Sequence, residues 1–200
     1  MTTDPKSAQD KAPVRTQARA RRRELVASRD LEADAARLAE HVLALVATHA
    51  HTHAGTNAGT HAGTHAGGVC RVAAYTAYGT EPPTHLLVQS LEAAGHEVIL
   101  PQLLEDRSLD WTRDGLPLGS SAISTATVIV TPGLAVDRAR TRLGQGGGSY
   151  DRALLRRRPD ALVVTLLHDG ELSETPLPHD AHDQPVDGIV SADTGWLDLR

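Results

Sequence analysis

From Leu31 onward apolar residues return with helical spacing. Leu31, Ala35, Leu38, Val42, Leu45 and Val46 fall on one face. Asp30 stands just before them, where a carboxylate can accept hydrogen bonds from the first free amides, so a helix is expected to start there. An earlier helix is expected over residues 13–28, where Ala, Arg, Gln, Glu and Leu dominate and Pro13 suits a first turn. Past residue 68 the pattern changes. Val69–Tyr75, Glu97–Leu100, Thr127–Val130 and Ala161–Leu167 are short apolar runs that predict strands, with Gly188–Val190 as a last short one. Pro101 is expected to end the second strand, and Pro132 with Gly133 the third. Between the strands, Thr84–Ala94 predicts a helix closed by Gly95, and Tyr150–Arg157 a helix stopped before Pro159. The alternation predicts an α/β fold of three αβα layers around a mostly parallel central sheet, with ligands where strands end.

One segment breaks the pattern. His53–Gly68 repeats a four-residue unit, HAGT, NAGT, HAGT, HAGG, that buries little and costs much entropy to order. It is expected to be a floppy low-complexity insert in a single domain over residues 11–200, preceded by a disordered tail over 1–10. His49, His51, His53, His61 and His65 invite a Zn2+ or Ni2+ reading, but a glycine-rich loop supplies no fixed geometry, and repeat expansion is the better account.

Composition narrows the class. Two hundred residues with 40% hydrophobic content make one globular domain, and the absence of Phe leaves the core to Leu, Val, Ile and Ala. A net charge of −5 argues against nucleic-acid binding by the chain as a whole. Cys70 is the one cysteine, so no internal disulfide is possible; it sits in an apolar run and is expected to be a buried small side chain. No apolar run nears the ~20 residues that span a bilayer, and the first residues lack a signal-peptide core. A cytoplasmic protein without a membrane partner is expected.

Chemistry concentrates in RLGQGGGSYDR, Arg142–Arg152. Gly144, Gly146, Gly147 and Gly148 leave bare backbone whose amides can approach one anion, and a helix is expected to start directly behind them. Arg142 can grip phosphate oxygens in a fork. Asp151 would repel phosphate unless a cation sat between them, and Mg2+ accepts carboxylate and phosphate oxygens together. A P-loop is excluded because no Lys precedes Ser149, and the dinucleotide fingerprint because Ser149 replaces its last glycine. Further upstream, Lys11, Arg15, Arg19 and Arg22 recur on one helical face; a solvated face is the common reading of such a run, and RNA binding a second. His168, Asp169 and Glu171 follow a core strand and are equally a polar strand exit or ligands.

PGLAVD (Pro132–Asp137), followed after a short gap by RLGQGGGSYDRAL, closely resembles 5-formyltetrahydrofolate cyclo-ligase, also called methenyltetrahydrofolate synthetase. The resemblance extends to HDQPVD (His182–Asp187), to Glu81 in YGTEPPT and to the basic pair Lys11 and Arg15, over most of residues 11–191 outside the insert. It implies a Rossmann-like fold and ATP- and Mg2+-dependent conversion of 5-formyltetrahydrofolate to 5,10-methenyltetrahydrofolate. In that reading the triphosphate is held by Lys11, Arg15 and the loop Arg142, Leu143, Gly144, Gln145, Gly146, Gly147, Gly148, Ser149 and Tyr150. Glu81, Gly147, Gly148 and Ser149 contact the folate, and Asp151 and Asp183 hold Mg2+. His182 is a local hydrogen-bonding partner, and Arg19, Arg21, Arg22 and Arg23 are surface or secondary phosphate contacts. No residue is singled out as a covalent catalyst, and the enzyme is expected to be a monomer with only small-molecule partners. Three departures stand out: Ser149 for an aromatic residue, Val136 for Phe, and Arg140 for a turn glycine, which implies a different local bend. The alternatives are a nucleotide-binding paralogue without activity, acting as an interaction or regulatory module, and an RNA-binding protein using the first helix.

Overall fold

The computed structural model describes residues 11–53 and 68–200. The expected tail and nearly all of the expected insert lie outside the described residues. In chain order the elements are α1 (Lys11–Ala27), α2 (Leu31–His53), β1 (Arg71–Ala73), α3 (His85–Ala93), β2 (Glu97–Leu103), β3 (Leu109–Arg113), β4 (Leu116–Pro117), a 3-10 turn (Ser120–Thr125) and β5 (Val128–Pro132). They continue through β6 (Ala135–Asp137), β7 (Arg142–Leu143), α4 (Ser149–Leu154), β8 (Leu162–Leu166), β9 (Leu172–Ser173), β10 (Gly188–Ser191) and β11 (Gly195–Asp198).

The main sheet has eight strands in the order β11-β10-β8-β5-β1-β2-β3-β4. The five central strands are parallel, while β11, β3 and β4 are antiparallel additions at the two edges. Strand alternation divides the core. Val72, Val98, Val128, Val130, Val164 and Val190 pack under α2 and α3, while Ala73, Ile99, Ile129, Val163 and Ile189 face Trp111, Ile123 and α4. This is the expected three-layer αβα arrangement. The expected apolar face of α2 is the buried one at Ala35, Leu38, Val42 and Val46, with Leu31 and Leu45 half-buried. Asp30 caps it as expected, its Oδ1 accepting from the amides of Glu32 and Ala33 at 3.1 Å each. Gly95, at φ 82°, closes α3 while the amide of His96 reaches back to the Leu91 carbonyl at 3.0 Å.

Several expectations need correction. β2 runs through Pro101, which pairs with Trp111. Proline is tolerated there because β1 has ended beside Ile99, leaving that side of β2 an edge. The β3–β4 hairpin was not expected; its turn, Asp114-Gly115 with φ 51° and 76°, is the two-residue type whose sequence sign is Asp-Gly. The helix expected over Tyr150–Arg157 stops at Leu154. Gly188–Ser191 is followed by β11, so it is not the last strand. Arg140 does not impose a different bend: at φ 72° it keeps the left-handed conformation that favours glycine. Its side chain offsets that cost by donating to the Val186 carbonyl at 2.7 Å and to Asp187 at 2.8 Å.

A smaller sheet, β7-β6-β9, sits beyond the ends of β5 and β8 and carries the segment that leads into the glycine loop. α1 covers it, with Val14 and Ala18 packed on Leu134, Ala135, Leu143 and Leu177. None of the described helices is long and apolar enough to cross a membrane.

Candidate active site

A cleft of about 690 Å3 opens where the parallel strands end, between α1, the glycine loop, the 180–183 turn and the β2–β3 hairpin. Lys11, Arg15, Glu81, every residue from Arg142 to Asp151, and Asp183 all line it. Residues from four separate stretches of the sequence therefore converge.

The glycine loop is built by its neighbours. Gly146 has φ 111° and Gly148 φ 65°, conformations that favour glycine, and Gly148 is the residue from which α4 starts. α4 has only six residues, which limits its dipole. α1 lies along the loop: Arg15 Nε donates to the Gly144 carbonyl at 3.0 Å. Arg19 donates to Gln145 through Nε at 3.2 Å to the side chain and Nη2 at 2.8 Å to the carbonyl. Arg19 thus holds the loop directly, beyond the surface role expected of it. Arg22 is corrected outright. It is 1% exposed and makes a fork to Glu171 at 2.6 and 2.7 Å, deep under α1. Glu171 also accepts the His168 amide at 2.8 Å, and His168 Nε2 lies 3.0 Å from the Thr80 carbonyl. Asp169 takes Ser191, Thr194 and the Asp193 amide. The strand exit at 168–171 is thus a structural junction, and none of its three residues lines the cleft.

Arg142 and Asp151 form a pair at 2.8 Å in which the arginine side chain is 3% exposed. Arg142 also donates to the Pro132 carbonyl at 3.2 Å and stacks over the Tyr150 ring at 5.7 Å, while its buried Nε has no partner among the described residues. One edge of the guanidinium is therefore committed to the protein. The expected union of Asp151 with Asp183 takes a different form. Asp183 groups with Asp180 and His182, their possible ligand atoms all within 4.8 Å of one another, and Asp151 is outside that trio. Asp151 stays beside it, accepting from the Gln184 amide at 3.4 Å. Lys11 bridges the trio, in contact with Asp183 Oδ2 and 2.7 Å from Asp180. Burial opposes the Lys11 charge, but the hydrogen bonds and attraction of Asp180 and Asp183 outweigh it and raise the pKa. The hydrogen bond from Lys11 in turn lowers Asp180. His182 Nε2 stands 3.8 Å from Asp183.

Elsewhere in the cleft lining, Glu81 accepts the Tyr78 amide at 3.0 Å. Burial pushes the phenols of Tyr75 and Tyr150 up, and the buried Tyr150 hydroxyl has no partner among the described residues. Leu103, Leu109 and Pro101 give the cleft an apolar lip. Sequence reasoning missed that lip, along with Tyr75, Thr76 and Asp180. Tyr75 and Thr76 could have been found from the rule that ligands bind at strand ends. The lip needed the hairpin, and Asp180 had a sign in the doubled His-Asp of HDAHD.

Comparisons with known proteins agree with this geometry. The sequence profile of the 5-formyltetrahydrofolate cyclo-ligase family matches residues 7–192. A protein named 5-formyltetrahydrofolate cyclo-ligase from Mycolicibacterium smegmatis is 32% identical over 150 residues, 64% of this chain and 77% of that protein. One of the same name from Escherichia coli K12 is 30% identical over 151 residues, covering 62% and 79%. The fold is similar to that of a 5,10-methenyltetrahydrofolate synthetase from Mycoplasma pneumoniae, with TM-score 0.68, 14% identity, and 92% and 99% of the two chains covered. It is also similar to that of the Aquifex aeolicus synthetase, with TM-score 0.64, 23% identity, and 95% and 93% covered.

Proposed function

Because the chain belongs to the 5-formyltetrahydrofolate cyclo-ligase family, we propose that it closes 5-formyltetrahydrofolate to 5,10-methenyltetrahydrofolate, consuming ATP with Mg2+. The observation that carries this reading is the convergence, in one cleft, of the glycine loop, the cations of α1, Asp151, the Asp180–Asp183 cluster and Glu81. The formyl group sits on nitrogen and is a poor electrophile. Its oxygen attacks the γ-phosphorus, the bond to ADP breaks, and an imidate phosphate forms. The folate N10 then attacks the activated carbon and phosphate leaves as the ring closes.

Such a sequence asks the protein for positioning and charge neutralisation rather than covalent help. Lys11, Arg15 and the amides of Gly144–Gly148 receive the triphosphate, Arg142 braces Asp151 and Tyr150, and Glu81 orients the folate. The apolar lip of Leu103 and Leu109 shields the reacting end from water. The donor set fits Mg2+: hard carboxylate oxygens from Asp151 and Asp183 flank the phosphate end, and a lysine ammonium already rests as a stand-in cation on Asp183. When bound, Mg2+ reconciles those carboxylates with the phosphate charge. We read the enzyme as a cytoplasmic monomer acting on small molecules. Incubation with 5-formyltetrahydrofolate and Mg-ATP should produce methenyl absorbance. Nucleotide binding without that absorbance would instead support the inactive paralogue.

A further inference from the structure

We propose that Lys11 is an internal counter-cation that changes places with the metal. It rests between Asp180 and Asp183 until a divalent cation takes Asp183, and is then released toward the triphosphate. This rests on the functional reading above and adds a role for Asp180, the residue that shares the ammonium.

The Lys11 and Asp183 side chains are 13% and 14% exposed, so their contact is largely shielded from water and is firmer than a surface pair. Asp183 Oδ2 also accepts the Asp180 amide at 2.8 Å, which fixes the carboxylate to which the ammonium is tied. The ammonium and a divalent cation compete for the same oxygens, and their like charges oppose sharing them. Lysine suits such an exchange, being a compact charge on a flexible stem with rotatable donors. α1 itself is pinned to the glycine loop by Arg15 and Arg19, so the side chain moves and the helix stays. Lys11 and the glycine loop face the same cleft, so the released ammonium has an anion within the site to turn to. Metal and nucleotide then favour each other's binding, by the same factor in both directions.

Titration of Mn2+ into nucleotide-free protein, with free Mn2+ followed by paramagnetic resonance, tests the exchange. Lys11→Met should bind Mn2+ about tenfold more tightly than wild type, within the usual range for coupled sites. Arg15→Met removes the same charge from the same cleft but contacts a carbonyl rather than a carboxylate, and should leave the affinity nearly unchanged. Adding Asp183→Asn to Lys11→Met should abolish the gain. Equal gains in Lys11→Met and Arg15→Met would reduce Lys11 to part of a general field and overturn the proposal. So would no gain in Lys11→Met, a gain that survives Asp183→Asn, or no Mn2+ binding at all. Failure of wild type to form the methenyl product would sink the functional reading while leaving this titration interpretable.

Discussion

Arg15 and Arg22 lie on the same face of α1 and have different fates. Arg22 is shut away on Glu171, while Arg15 donates to the Gly144 carbonyl and borders the cleft. Periodicity placed both on one face, but it holds no information about depth, which is set by Gly133 and Glu171 more than a hundred residues later. The glycine loop was legible because its glycines and flanking charges are contiguous. The Arg142–Asp151 pair was not, because each residue taken alone reads as a phosphate or metal ligand. Because Arg15 borders the cleft and donates to a loop carbonyl, Arg15→Ala should raise the Michaelis constant for ATP about ten- to a hundredfold, the scale of one charge-assisted contact, with little change for the folate. Steady-state kinetics with each substrate varied in turn would show it; equal shifts for both would mean a distorted cleft rather than a lost phosphate contact.

Elements were legible where a local pattern fixes them and lost where pairing does. α2, α3 and the parallel strands carry their own period and caps. β6, β7, β9 and β11 are two to four residues long and exist only because a partner strand lies alongside. The β10–β11 pair shows how tight that dependence is. A Cβ on Gly188 would stand 2.2 Å from the Leu197 carbonyl oxygen and 2.5 Å from the Trp196 ring. Gly188→Ala must push strands apart, costing about 1–3 kcal/mol or more, and should lower the melting temperature by at least about 2 °C. The α1–α2 junction depends on charge. Asp34, 1% exposed, is held by Arg29 and by Arg37 at 2.9 Å. Burial alone would raise its pKa, but the hydrogen bonds from both arginines prevail and lower it. Its contribution to stability is therefore full above the ordinary carboxylate pKa of about 3.9 and fades as pH falls through the lower folded value. Unfolding free energy measured from pH 6 to 2 should fall less steeply in Asp34→Asn, from a lower starting point; parallel curves would refute the assignment.

For the molecule as a whole, the layer order and the position of the cleft followed from the alternation of strands and helices, because a parallel sheet admits few ways to be covered. The low-complexity segment carries no such constraint. Deleting residues 56–66 should leave activity and melting temperature nearly unchanged, since each doubling of loop length costs only about 0.6 kcal/mol; a drop of several degrees would show that the segment packs. The contact between Lys11 and Asp183 spans 172 residues of sequence, and it has a consequence for how the protein is made. A chain leaving the ribosome shows its cationic first helix to the cell long before the carboxylates that will receive it have been synthesised. Strands β1, β2, β5 and β8 can pair in the meantime, but the Lys11 end of the cleft cannot assemble until the 180–183 turn emerges. The cleft is therefore among the last features to form during synthesis, and a nascent chain halted before that turn lacks β10 and β11 as well as Asp180 and Asp183.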